Sequence, residues 1–465
     1  MRRFNNSKRG GKPAFMVSFV SILFVLPLSV AQVAPAAATA WAPPKAVGAR
    51  IDGVWQSQGY GRLLVMRKGV PTLYHAAGSY CYRDPKPDAG SDAIYRLVTA
   101  VRHDRIAFAE APGQTRYVFD RIAKLPSACL IERRWVPAEI GRLIAATFAD
   151  LYPGFGRRGR TQAGFDAAVA MLPANASDAV LYGQSVAALH VLDDAHVALE
   201  ATVDGKEHSF ESGEASSIVA VRRDAALGDD PAARERSWSR LYREDVVALI
   251  EGGGHLVANR RILWGRIGRV GYLNIVTMGA FASKGPSYDT AALDAALDEA
   301  LTAFRGLPGV IVDVSNNRGG YDAISLRIAG RFADRRTLAF EKRAVGATVP
   351  FQSFHVEPSN RVRFLGPVTL LTSDITVSAG ETFTLAMRSL PNVRHTGGRT
   401  RGALSDQLAK PLPNGWTLTL PAEIYRASDG RIYEGVGITP ELTNLPPLDH
   451  AASVASLARS MSDAR

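Results

Sequence analysis

The segment Thr376 to Phe383, T-V-S-A-G-E-T-F, follows the apolar run Val368-Thr369-Leu370-Leu371. That order predicts a buried strand, a tight turn and a helix that opens at Ser378. A helix start presents unpaired backbone N–H groups and a partial positive charge. A serine at that point is placed where a nucleophile and the oxyanion it creates can both be stabilised. The same pattern fits an ordinary serine N-cap, so other residues must decide between the two.

Two further features can do chemistry with Ser378. Asn316-Asn317-Arg318-Gly319-Gly320 follows the apolar strand Val310-Ile311-Val312-Asp313-Val314. Paired glycines after a strand let the backbone turn and approach a ligand closely. Such a loop falls at the C-terminal edge of an open α/β sheet, where these folds place their sites. A glycine N–H there, with that of Ala379, would make a two-donor oxyanion hole. His196, in Leu192-Asp193-Asp194-Ala195-His196-Val197, comes after an expected helix and before a short strand. A serine needs a base with a pKa near neutrality, and histidine is the usual one. His190 is the local rival, but its mid-helix position is harder to present at a cleft.

The elements that must position these residues change character along the chain. Residues 50–135 read as short strands, among them Arg62–Met66, Thr72–His75, Ala93–Val98 and Tyr117–Phe119, punctuated by Gly, Pro and Asp. From Pro137 the period becomes helical: Ile140, Leu143, Ile144, Phe148 and Leu151 share one face. A second helix is expected from Ser177, as N-cap, to about Leu192. Residues 200–265 are polar and mixed and read as an insertion. From Gly268 strands alternate with helices: Val270–Ile275, then Leu293 to Phe304, then Val310–Val314 with a helix to about Phe332. This alternation predicts a largely parallel sheet covered by helices. Trp416–Tyr425, a Ser428-Asp429-Gly430 turn and Arg431–Tyr433 suggest a hairpin.

Composition narrows the function classes. The formal charge is +11, but residues 1–31 hold five bases (Arg2, Arg3, Lys8, Arg9, Lys12) and no acid. Ala14–Ala31 is uncharged and mostly apolar, and Ser29-Val30-Ala31 resembles a small-residue cleavage site. This is the pattern of a secretory signal peptide, so export to a periplasm or the exterior is expected, with no stable membrane anchor after its removal. Cleavage takes away those five charges and leaves +6, spread over the chain. No basic run interleaved with aromatics argues for nucleic acid. Cys81 and Cys129 can form one disulfide in an oxidising compartment; two buried thiols are the alternative. Neither has a paired Cys or His at metal-ligand spacing, so no metal is expected.

Several motifs occur in an order that resembles the tail-specific (C-terminal processing) serine peptidases and the tricorn core peptidase. Gly309 to Gly320 resembles their strand and glycine loop. Ser378-Ala-Gly-Glu381 resembles their nucleophile turn, and Gly398-Arg-Thr-Arg-Gly402 the strand that follows. Glu434-Gly-Val-Gly-Ile-Thr-Pro440 resembles their C-terminal motif, and Asp194-Ala-His196 a D-G-H element. The likeness runs from about 137 to 445. The lysine of the tail-specific branch would follow Thr400-Arg401-Gly402, where this chain has Ala403; Lys410 lies seven residues late. The resemblance therefore points to the histidine-using, tricorn-like branch. It departs at Ala195 and at Ser315, where an arginine would pair with Asp313, and it includes no glycine-rich PDZ-like segment.

That resemblance implies a crotonase-like ββα core with flanking helices, preceded by a helical subdomain and a small all-β N-terminal domain. The expected boundaries are a signal peptide at 1–31, a linker at 32–46, the β domain at 47–135 and the helical subdomain at 136–205. An insertion follows at 206–265, the α/β core at 266–448 and a tail at 449–465. It implies Ser378 as nucleophile, His196 as base, Glu434 orienting the base site, and N–H groups of Ala379 and Gly319 or Gly320 as oxyanion donors. It implies a peptide or protein substrate and no cofactor. The competing expectation is a non-catalytic, apolar-ligand-binding protein on the same fold, because fold does not fix function. An esterase-like activity would use the same chemistry.

Overall fold

The apolar runs from Val270 onward pair into a sheet whose strands are buried on both faces. In this computed structural model, residues 51–463 are described apart from 69, 87–96, 111–112, 157–159, 170–171, 174 and 443–449. The expected signal peptide and linker lie outside the described residues, as does the first part of the expected strand Ala93–Val98; the strand described there is Leu97–Val101.

The central sheet has six strands in the order His255–Val257, Ile262–Ile267, Val270–Ile275, Val310–Asp313, Val368–Thr372, Val393–Gly397. The first three are antiparallel and the last four parallel, with Gly271 opposite Val310 and Val310 opposite Val368. The sheet therefore begins upstream of 266. The apolar Ile262-Leu263-Trp264 pairs against Ile275 to Leu273, and this buries a part of the chain whose polar surroundings had hidden it. Helix Ala291–Ala303 covers one face with Leu293, Leu297, Ala300 and Leu301. A Cβ on Gly271 would meet the Phe304 ring at 2.8 Å, so only glycine lets that ring lie flat against the sheet. The other face is covered by Val246, from helix Pro231–Val247, and by Val454 and Ala458. The last two belong to helix His450–Asp463, so the expected tail is a packed element. Helices on both faces satisfy a parallel sheet that has no wet side.

Three further sheets lie among the described residues. Seven antiparallel strands between Gly53 and Ile122 form the N-terminal sheet, with Gly53–Ser57 between Arg62–Arg67 and Tyr117–Ile122. Cys81 and Cys129 form a disulfide that ties its edge strand Tyr80–Arg83 to the turn Ser127–Leu130. The helical pattern after Pro137 gives Pro137–Leu151 and Asp178–Leu192, the latter capped by Ser177 Oγ on Val180 N. Ala198–Val203, just after His196, joins a four-stranded sheet with Lys206–Glu211, Thr417–Pro421 and Gln407–Pro411. The expected hairpin through 428–430 is not formed. Glu423–Ala427 pairs instead with Thr337–Ala344, where Tyr425 packs on Phe340 and its hydroxyl accepts from Lys342 Nζ at 2.8 Å. The turn survives without a returning strand, closed by Ala427 N on Arg431 O at 2.8 Å.

The end of strand Val310–Asp313 is held by a polar network that replaces the ion pair expected from an arginine at 315. Asp313 accepts from Tyr272 OH at 2.6 Å and from Ser315 Oγ at 2.6 Å, and lies 2.7 Å from His450 Nε2. Ser315 in turn touches Tyr242 OH at 2.6 Å, and the Tyr242 ring stacks on His450. Burial would push the Asp313 carboxyl up, but the His450 ring and the two hydroxyls hold it below the usual range. Asp313→Ala would strand these buried partners and is expected to destabilise the fold by about 3–5 kcal/mol. Urea unfolding monitored by tryptophan fluorescence checks this; a loss within experimental error of zero would mean the network carries no stability.

Candidate active site

The strand-turn-helix read at Ser378 is present, and its backbone is unusual. Strand Val368–Thr372 leads through a turn into helix Ala379–Arg388, and Ser378 at the junction has φ 59° and ψ −126°. A non-glycine residue there carries about 1–3 kcal/mol of strain, so its surroundings must fix it. They do: Ser378 N donates to Ala403 O at 2.9 Å, and the Glu381 carboxylate faces the same amide at 3.3 Å. The side chain is half-buried, at the mouth of the turn. The N–H of Ala379, the first of the helix, has no partner among the described residues.

The glycine loop is built against this turn. Asn317 is fully buried, donates through Nδ2 to Ile275 O at 2.8 Å, and accepts from Gly319 N at 2.9 Å. Its carbonyl accepts from Val377 N at 3.2 Å, which joins the two loops one residue before Ser378. A methyl on Gly319 would stand 2.6 Å from Ser378 Cβ and 3.2 Å from Oγ. Gly320 has φ 142°, and a Cβ there would meet Met278 O at 2.3 Å, so both positions need glycine. The two N–H groups differ. That of Gly319 is spent on Asn317, whereas that of Gly320 has no partner among the described residues.

His196 is buried and His190 exposed, which separates the two rivals. Asp194 begins a local turn: its Oδ1 accepts from His196 N at 2.9 Å and its Oδ2 from Tyr152 OH at 2.9 Å. Burial lowers the His196 pKa below its ordinary value, opposed by the charges of Asp194 and Asp406 and by the Ser405 carbonyl that faces the ring.

Residues 398–406, expected to open as a strand, leave the sheet at Gly397 and run between the serine and the histidine as irregular chain. Arg401 N donates to Thr376 O at 2.9 Å, and its guanidinium donates to Asp193 Oδ1 at 2.6 Å. Gly402 N and Ala403 N donate to the buried Glu381 at 2.7 and 2.8 Å. Leu404 N and Ser405 N both donate to Glu434 Oε2 at 2.9 Å. Glu434 is thus buried and holds the backbone beside His196 rather than being a solvated turn residue. Burial, then the charges of Asp194 and Glu381, pushes its carboxyl well above the usual range, and burial takes Glu381 to about 7. Gly437 is the packing reason for the motif that follows Glu434, since a Cβ there would lie 2.1 Å from Thr400 O.

Sequence reading did not assign roles to Glu381, Asp194 or Tyr152. The Asp-x-His spacing carried a signal for Asp194, because such a side chain caps the amide two residues on. Glu381 was legible only as the last residue of the Ser378-Ala-Gly-Glu381 motif. Lys410 is not at the site: its ammonium donates to Tyr60 O and Gly61 O, in the turn between strands Gly53–Ser57 and Arg62–Arg67, at 2.5 and 2.7 Å. No group of His, Cys, Asp and Glu among the described residues is arranged to hold a metal. Glu434→Gln keeps an acceptor for the two amides, whereas Glu434→Ala does not. Labelling of Ser378 by a fluorophosphonate is expected to slow at least about tenfold in Glu434→Ala and much less in Glu434→Gln. Equal slowing in both would mean that the carboxylate acts through its charge and not as an acceptor.

Comparison with known proteins bears on the fold and the family of this segment. Residues 269–443 match the family model of peptidase family S41. No curated protein matches the chain by sequence. Among solved structures, a putative peptidase from Parabacteroides merdae is 20% identical with a TM-score of 0.54, covering 70% of this chain and 97% of that one. Mature CPAF complexed with lactacystin is 12% identical with a TM-score of 0.49, covering 71% and 99%. The photosystem II D1 C-terminal processing protease is 16% identical with a TM-score of 0.41, covering 71% and 98%. At these identities the first likeness is one of fold, and the other two carry no argument. The match of residues 269–443 is a likeness of that segment to peptidase family S41, and it supports a serine peptidase.

Proposed function

We propose that this protein is an exported serine endopeptidase of the histidine-using, tricorn-like branch, with Ser378 as nucleophile and His196 as general base. The observation that carries the reading is the strained Ser378 turn, beside N–H groups of Ala379 and Gly320 that have no partner among the described residues, and joined through residues 403–406 to a buried histidine. Ser378 Oγ attacks the peptide carbonyl as His196 takes its proton. The oxyanion accepts from Ala379 N–H and from Gly320 N–H, in preference to the engaged Gly319. His196 returns the proton to the leaving amine, and water then hydrolyses the acyl-enzyme. Glu434 acts as a positioning residue, through Ser405. The Cys81–Cys129 disulfide supports export, since such bonds persist in oxidising compartments. The charged cavity beside Gly320 is a poor host for an apolar ligand, which disfavours the binding-protein reading.

The mature protein is expected to be labelled by a fluorophosphonate, with no labelling in Ser378→Ala and a rate lower by about a hundredfold or more in His196→Ala. Absence of labelling in a folded wild type would remove the nucleophile assignment. The base must be neutral to act, so activity is lost as pH falls through the His196 pKa. Burial depresses that value, so the acid limb is expected to lie below the ordinary imidazole pKa of about 6.5. A limb at or above that value would mean that burial does not set the base.

A further inference from the structure

The turn Gly59-Tyr60-Gly61 joins strand Gly53–Ser57 to strand Arg62–Arg67, and all three of its residues have positive φ, Tyr60 at 61°. A tyrosine is disfavoured in that region, so its surroundings must hold it there. Lys410 Nζ donates to Tyr60 O and to Gly61 O at 2.5 and 2.7 Å. A Cβ on Gly59 would lie 2.4 Å from that of Ala344, so the turn is pressed against strand Thr337–Ala344. The Tyr60 ring is buried there, its centroid 5.0 Å from that of Tyr117.

The Tyr60 hydroxyl donates to Oε1 of the buried Glu423, and Glu423 has two links toward His196. Its N–H donates to Ser405 Oγ at 3.0 Å, and the Ser405 carbonyl faces the His196 ring. Its Oε2 lies 3.3 Å from Lys342 Nζ. That ammonium also pairs with Asp406, lies 3.5 Å from Asp322 and donates to Tyr425 OH at 2.8 Å. Asp406 is the residue after Ser405, and its charge, with that of Asp194, acts on His196. One ammonium thus serves three carboxylates, and what it gives to Glu423 it withholds from Asp406. Burial takes the Glu423 carboxyl to about 7, against the pull of Lys342; Asp406 and Asp322 add to the rise, and the Tyr60 hydroxyl opposes it. Without that donor Glu423 takes a proton more readily and releases Lys342 to Asp406.

We infer that Tyr60 is a positioning residue for the base, acting through Glu423 on Ser405 and on the Lys342–Asp406 pair, so that the N-terminal sheet completes the active site. The inference rests on His196 being the base for Ser378.

The test is the pH profile of Ser378 labelling by a neutral alkyl fluorophosphonate. Tyr60→Phe keeps the ring and removes the donor. Lys342 then neutralises more of Asp406, the imidazolium loses that support, and the His196 pKa falls. The base must be neutral to act, so the acid limb is expected to move to lower pH by about half a unit or more. Glu423→Gln keeps an acceptor for Tyr60 and the N–H for Ser405 but removes the charge. It is expected to move the limb the same way, and it decides the matter if Tyr60→Phe does not fold. Tyr117→Phe alters the neighbouring ring, whose hydroxyl makes no hydrogen bond to Glu423, and should leave the limb in place. Added to Asp406→Asn, Tyr60→Phe should cause no further shift, because the route runs through Asp406. A limb unmoved, or moved to higher pH, in both Tyr60→Phe and Glu423→Gln overturns the inference whatever happens to stability, and leaves the serine mechanism standing. No labelling of the folded wild type, or labelling unaffected by His196→Ala, overturns the base assignment and the inference with it.

Discussion

Two buried carboxyl groups, Glu381 and Glu434, hold four consecutive amides of one irregular segment, Gly402 to Ser405. The site depends on this constraint. The segment belongs to no sheet, yet its backbone groups are buried and must find partners. Its carbonyls then face both residues of the proposed pair, Ala403 O taking the Ser378 amide and Ser405 O lying against the His196 ring. The serine and the histidine stand 182 positions apart in sequence, and this strip of main chain sets one relative to the other. Arg401 adds a second tie, its amide on the serine turn and its guanidinium on the residue before Asp194.

The same constraint explains how a serine persists at φ 59°. Local preference would relax it, since a residue with a Cβ is disfavoured in that region. Relaxation would break the bond to Ala403 and pull against Asn317, whose carbonyl takes the neighbouring Val377 amide and whose side chain reaches into the central sheet. The strain is thus distributed into elements that are themselves well buried. The glycine loop works in the opposite sense: there the absence of a Cβ, and not an imposed strain, lets the backbone come within contact of Ser378 and Met278.

Much of this was legible in the sequence because it rested on local pattern. Buried parallel strands read as apolar runs, Ser177 and Leu192 bounded a helix, and the order of short motifs pointed to the family. What was not legible rested on partners far away in sequence. His450 on Asp313 could not be read, because the substitute for an arginine came from a helix 137 positions later. The strand at Tyr425 was given the wrong partner because its pairing follows from Phe340 and Lys342, residues on a strand far back in the sequence. Gly319 and Gly320 looked equivalent as donors; only the side chain of Asn317, two positions back, separates them. Glu381 was visible only as part of a motif, because its partners, the amides of Gly402 and Ala403, lie about twenty residues on.

The concentration of acid around the base follows from what the proposed reaction requires. Burial alone would keep His196 neutral but would also oppose the imidazolium that forms when it takes the serine proton. Asp194 and Asp406 act against that penalty by their charge, and the Ser405 carbonyl by facing the ring. Burial thus sets the resting state, and the fixed acceptors favour the state reached on attack, when an oxyanion appears opposite the imidazolium. The arrangement serves catalysis only if those acceptors cannot move to follow the charge. Asp194 is fixed by Tyr152 and by the His196 amide, and Ser405 by Glu434 and by the amides of Ala422 and Glu423 that its hydroxyl accepts. Preorganisation of the base side is therefore built from the same kind of contact as the serine side, a buried oxygen closing on backbone N–H groups, and the two halves are joined through Gly402 to Ser405.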